Sequence, residues 1–162
     1  MNSSLRKVTA MVDAAVGALT VSREATLDQP PAIVWKLIGE FNALDIWLPP
    51  VQASTLRGVG TAPGAIRVLD LGGGASVTEE LLDYDSACHR YTYAFVASPL
   101  PVKGYVATIA LSATPNGRTL IKWHSTFEAD GAPDDQAKAA IQGIYDLGLA
   151  KLVSIFGKSA AQ

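Results

Sequence analysis

The residue with the most chemical potential in this chain is Glu79, in the run VTEELLDYD. Side chains of a strand alternate between two faces, so one placed residue sorts its neighbours. Val77, Glu79 and Leu81 fall on one face, against Thr78, Glu80 and Leu82. The same alternation groups Tyr91, Tyr93, Phe95 and Ala97, then Tyr105, Ala107, Ile109 and Leu111, then Ile121, Trp123, Ser125 and Phe127. These groups are apolar and aromatic and their opposite faces are mostly polar, so they are expected to point inward. Glu79 is then an ionisable group on an apolar face, where burial raises a carboxyl pKa unless a cation or donors hold it. Beside the phenols of Tyr93 and Tyr105 and the indole of Trp123, lined by Phe95 and Phe127, it suits a ligand site. It also suits acid–base chemistry, with Glu79 as general acid or base and Tyr93 or Tyr105 orienting a carbonyl or giving a proton. The same residues would serve as plain core, with Glu79 near the sheet's open end, hydrated or bonded to a neighbouring side chain.

Other chemistries find less support. His124 shares the polar face with Lys122, and His89 opens a strand beside Cys88, where exposure is expected. Two scattered histidines and one cysteine make no metal set and no internal disulfide. LGGGA (71–75) lacks the Lys-Ser/Thr that follows in a phosphate loop, and no cofactor is expected. A net charge of −2 offers no broad cationic surface for nucleic acid. With 49% hydrophobic and 17% charged residues the chain is no disordered polymer. No uninterrupted apolar run reaches the roughly 18 residues of a membrane span.

The elements that must position these residues can be read from period and punctuation. The chain has 162 residues, the size of one domain. A strand is expected over Leu19–Leu27, with Asp28 as cap and Pro30 and Pro31 opening a helix to Glu40. A second small helix fits Asn42–Trp47, ended by Pro49 and Pro50. Six strands follow at Val51–Arg57, Ala65–Asp70, Ser76–Asp83, His89–Ala97, Gly104–Ala113 and Thr119–Glu128. The last helix spans Pro133–Phe156, with Ile141, Ile144, Tyr145, Gly148, Leu152 and Ile155 on one face. Short turns make sequential strands antiparallel, and one long helix backing them gives an α+β fold. Gly72, Gly73 and Gly74 fit either a hairpin turn needing positive φ or a mobile lid at a cavity mouth. Pro99, Leu100 and Pro101, in SPLPVKG, fit a stiffer second rim loop. Residues 1–18 read as an arm with a frayed helix over Leu5–Ala18, and residues 19–162 as one domain. Arg6 and Lys7 precede an apolar run as in a secretion signal, but Asp13 interrupts its core, so a cytoplasmic location is expected.

The strings AIVWKLIGEF with a tryptophan six residues on, PGAIR, VTEELLDYD, YTYAF, a Pro-bearing loop, WHSTF and a terminal helix together resemble the SRPBCC (START/birch-pollen-allergen-like) superfamily. The resemblance covers about residues 19–156 and is greatest to its polyketide cyclase/dehydrase group, with a more distant likeness to plant abscisic-acid receptors. It implies a helix-grip fold: a curved seven-stranded antiparallel sheet wrapped around a long C-terminal helix, with a cavity between them. It implies that Glu79, Tyr93 and Tyr105 face that cavity, that Ile66 and Val68 form its wall, and that Ile144, Tyr145 and Gly148 close it. It also places Leu71–Ala75 and Ser98–Val102 where the receptors carry a gate and a latch. The receptors' carboxylate-gripping lysine has no counterpart in residues 42–56, which argues against a hormone receptor. The expected function is binding of a small apolar or aromatic molecule. The alternatives are a cofactor-independent cyclase or dehydratase using Glu79, and a partner-binding protein with a dry core. A protein that carries no ligand and has no cavity above about 300 Å³, the lower end for ligand pockets, would count against both of the first two.

Overall fold

Leu19–Leu27 forms β1, and the six later runs form β2 (Ala53–Arg57), β3 (Ile66–Gly72), β4 (Ala75–Asp85), β5 (Arg90–Ala97), β6 (Val102–Ala113) and β7 (Thr119–Ala129). The computed structural model describes residues 19–159, so the arm expected over residues 1–18 lies outside the described residues. The strands build one antiparallel sheet in the order β1-β7-β6-β5-β4-β3-β2, leaving β1 and β2 as its edges. Two short helices, α1 (Pro31–Ile38) and α2 (Leu44–Trp47), follow β1, and α3 (Asp134–Phe156) closes the chain. This is the helix-grip arrangement.

Helix ends explain small departures from expectation. Pro30 takes the N-cap position of α1 with no side-chain cap. Asp28, expected as the cap, instead pairs with Arg118 at 3.3 Å, and its backbone N–H donates to Gly157 O at 3.0 Å. The buried stripe of α3 runs Ala137, Ile141, Tyr145, Gly148, Leu149 and Leu152. Steps of about 3.6 residues then bring Phe156 against the core, and Ile155, expected inward, is exposed. By length and composition α3 could cross a membrane, yet here it seats that stripe on the sheet and holds Asp146 outside, paired with Arg23 of β1 at 3.0 Å. Gly148 permits the close approach, because a Cβ there would come within 2.9 Å of the Trp123 ring and 3.1 Å of the Trp47 ring.

The β3–β4 hairpin decides what faces inward. Gly73 and Gly74 form its turn at φ +62° and +83°, values that glycine reaches without steric cost. Gly72 pairs with Ala75, but the register then shifts by one residue between Asp70 and Gly72, and Leu71 drops out of the ladder. Beyond this bulge Leu69 pairs with Val77 and Arg67 with Glu79. Without the bulge, Val68 would stand opposite Glu79. A one-residue slip exchanges the two faces of a strand. Ile66 and Val68, expected on the cavity wall, therefore lie on the outer face opposite Glu80 and Thr78. Arg67 and Leu69 point in.

Candidate ligand cavity

Between the inner face of the sheet and α3 lies a cavity of about 70 Å³. Its apolar wall comes from Leu69, Leu71 and Val77 of the β3–β4 hairpin, from Leu44, Leu48, Pro50 and Val51 around α2, and from Ile141 and Ile144 of α3. Phe95, Tyr93, Tyr105, Trp123, Tyr145 and Leu100 complete it, and among the described residues Glu79 is the one carboxyl on the wall. Pro50, Leu71, Phe95, Leu100 and Ile144 are the lining residues that retain exposure, so they mark the mouth.

Ring stacking keeps the space narrow. Phe95 stacks on Tyr105 with centroids 3.9 Å apart, and Trp123 on Tyr145 at 4.0 Å. Their polar atoms form a chain across the wall. Trp123 Nε1 donates to Tyr93 Oη at 3.0 Å, Tyr93 and Tyr105 hydroxyls lie 3.3 Å apart, and Tyr105 hydrogen-bonds Tyr145. Burial holds all three phenols above their ordinary pKa, Tyr93 and Tyr105 well above it. They therefore remain protonated at neutral pH and can serve as donors, not as phenolate bases.

Glu79 does not stand alone. Arg67 Nε donates to its Oε1 at 2.8 Å, and both residues are buried, at 0% and 3% exposure. The guanidinium also donates through Nη1 to Phe41 O at 2.7 Å and sits over the Phe41 ring at 4.0 Å and the Tyr93 ring at 4.8 Å. Its Nη2 is buried without a partner. Burial opposes the charge on Arg67, but Glu79 and the neighbouring phenols outweigh it and hold the guanidinium firmly protonated. Burial raises the Glu79 carboxyl above its usual range, and Arg67 offsets part of that rise. The cavity wall thus presents one carboxyl whose cation is packed behind it, since Arg67 itself does not line the space.

The family described as polyketide cyclase / dehydrase and lipid transport matches residues 18–157. The chain belongs to this family. It is of the SRPBCC type, in keeping with the helix-grip fold. Among solved structures, the protein XoxI from Bacillus cereus is 30% identical over 85% of this chain and 94% of its own, with a TM-score of 0.79. An uncharacterised protein from Bacillus thuringiensis is 30% identical over 85% and 98% of the two chains, at a TM-score of 0.78. A Thermobifida fusca protein is 27% identical over 88% and 99%, also at 0.78. No curated protein matches the chain.

Against this polyketide cyclase/dehydrase background, the placement of each candidate residue is specific. Glu79, Tyr93, Phe95, Tyr105, Trp123, Ile144, Tyr145 and Leu100 meet at the cavity. Phe127 lies behind the wall, with its ring 6.0 Å from that of Tyr105, and Gly148 lies under Trp123 and Trp47. Neither lines the space. Pro99 and Pro101 flank Leu100 without lining it, and Pro101 O accepts from Asp130 N at 2.9 Å. Gly73 and Gly74 make the tight turn, and Gly72, paired with Ala75, ends the strand that carries Leu71 to the mouth. His124 is exposed, as parity requires, whereas His89 is half-buried, 5.4 Å from the Trp35 ring, with φ +54°. Arg67, the partner of Glu79, was not among the candidate residues. The signal for it was Glu79 itself, because a carboxylate on an inward face calls for a cation across the ladder.

Proposed function

We propose that the chain binds a small, largely apolar molecule in the cavity between its sheet and α3. The family's description, which couples polyketide cyclases and dehydrases with lipid transport, supports hydrophobic ligands as the class. The observation that carries the reading is the wall itself: aliphatic and aromatic side chains on every side, with the Glu79 carboxyl and three phenols as its few polar groups. Such a wall holds a ligand by area and orients it by a small number of hydrogen bonds.

The space is smaller than expected. At about 70 Å³ it is under half of the roughly 150 Å³ that accommodates benzene in an apolar protein cavity. Ligand entry therefore has to displace side chains, and the partly exposed mouth residues Leu71, Phe95 and Leu100 are the ones with room to move. A second reading, proton transfer on a bound carbonyl compound, is favoured by Glu79 being the carboxyl on the wall, raised by burial and near phenolic donors.

Native mass spectrometry of freshly purified protein tests the first reading. We expect a co-purifying molecule of low polarity that is released on denaturation. A protein that carries none and takes up no apolar compound at saturating concentration contradicts it. If a substrate is found, Glu79→Gln separates carrier from enzyme. A carrier loses modest affinity, while an acid–base enzyme loses about 10²–10⁴-fold in rate with binding retained.

A further inference from the structure

The Arg67–Glu79 pair sets the charge that the cavity will tolerate. Arg67 is a fully buried guanidinium with a carboxylate on Nε, a backbone carbonyl on Nη1 and aromatic faces against it. Its remaining nitrogen, Nη2, is buried and unpaired. Taken alone, such a group is an anion site, since a desolvated guanidinium seeks a carboxylate in a planar, charge-assisted contact. The chain fills it with its own Glu79. The order of the two is what matters: Glu79 lines the cavity and Arg67 does not. A ligand meets the carboxylate side of the pair, and the positive charge stands behind it.

We propose that Glu79 acts as a built-in anion occupying the site on Arg67, so that the cavity selects neutral molecules with a hydroxyl or N–H donor and rejects carboxylic acids of the same shape. This deepens the binding reading above and rests on it. A neutral donor completes the hydrogen-bonding capacity of Glu79, and an acceptor on the same ligand meets the phenols of Tyr93, Tyr105 and Tyr145. An ionised acid brings a second negative charge against Glu79 in a space where water does not screen it. Among the described residues no cation is on the wall to hold it.

Two matched pairs test it by calorimetry on the purified chain at neutral pH: benzyl alcohol against benzoate, and 1-decanol against decanoate. The two sizes cover small and extended occupants, and toluene and decane report apolar binding alone. The alcohol should bind about tenfold or more tightly than its acid. An acid that binds as well as its alcohol overturns the inference while leaving the cavity reading intact. If none of the six compounds binds, the cavity reading fails and the inference with it. Glu79→Gln gives the sharper result, since it removes the negative charge that occupies the site on Arg67. Benzoate or decanoate should then bind more tightly than to the unmodified chain, reversing the preference. Unchanged acid affinity in a folded Glu79→Gln variant overturns the proposal. If that variant does not fold, the alcohol-to-acid ratio of the unmodified chain decides by itself.

Discussion

Replacing Arg67 with methionine should destabilise the fold by about 3–5 kcal/mol, because it leaves the Glu79 carboxyl buried without its cation. Both partners are almost wholly removed from water, at 0% and 3% exposure, so solvent cannot take over. The substitution also strips Phe41 O of its donor at 2.7 Å and removes the cation from the Phe41 and Tyr93 rings. The pair is a different matter from either partner. Exchanging both charges, Arg67→Met with Glu79→Leu, should recover more than half of the loss, since apolar residues of similar volume replace a buried pair at little cost. Recovery should be incomplete because Phe41 O remains unpaired. Urea unfolding of the two variants and Glu79→Leu alone gives the cycle. Additive losses, or a loss under about 1 kcal/mol for Arg67→Met, would show that the pair is not coupled as its geometry requires.

Trp123→Ala should cost a similar amount, about 3–5 kcal/mol, for a different reason. The indole is 1% exposed, stacks on Tyr145 at 4.0 Å, meets the Trp47 ring edge-on at 5.3 Å and donates to Tyr93. It also fills the space over Gly148, where no side chain from α3 can replace it. Removing it leaves a void continuous with the existing cavity, because Trp123 is part of that wall. The variant should therefore melt lower but gain more from benzene or toluene than the unmodified chain does, as ligand fills the added space. A small loss of stability, or no added response to the aromatic ligands, would mean that the sheet and α3 collapse onto the gap.

Much of this arrangement was legible in the sequence, and the gaps have physical causes. Period-two patterns from Tyr91 to Phe127 sort cleanly into polar and apolar faces, so β5, β6 and β7 and the inward set on them could be read directly. The spacing of Ile141, Tyr145 and Gly148 gave the helix that covers them. β3 could not be read this way, because Ile66 and Val68 are apolar on one face while Leu69 and Leu71 are apolar on the other. Only the bulge between Asp70 and Gly72 breaks the tie, and a bulge is a backbone event with no required residue beyond the glycines beside it. That single shift moved Ile66 and Val68 outside and brought Arg67 opposite Glu79. The cavity's size was also beyond the pattern. Parity says which side chains face in, but the stacking of Phe95 on Tyr105 and Trp123 on Tyr145 decides how much space they leave.

The central claim is that small apolar molecules enter between the sheet and α3. A titration of isotope-labelled chain with benzyl alcohol, followed by amide and methyl NMR shifts, tests it most directly. Saturable shifts are expected at Leu69, Val77, Tyr93, Ile141 and Tyr145, with the mouth residues Leu71 and Leu100 among them. Shifts confined to exposed apolar residues of the outer sheet face, such as Val96 and Val106, or no saturable shift at all, would contradict it.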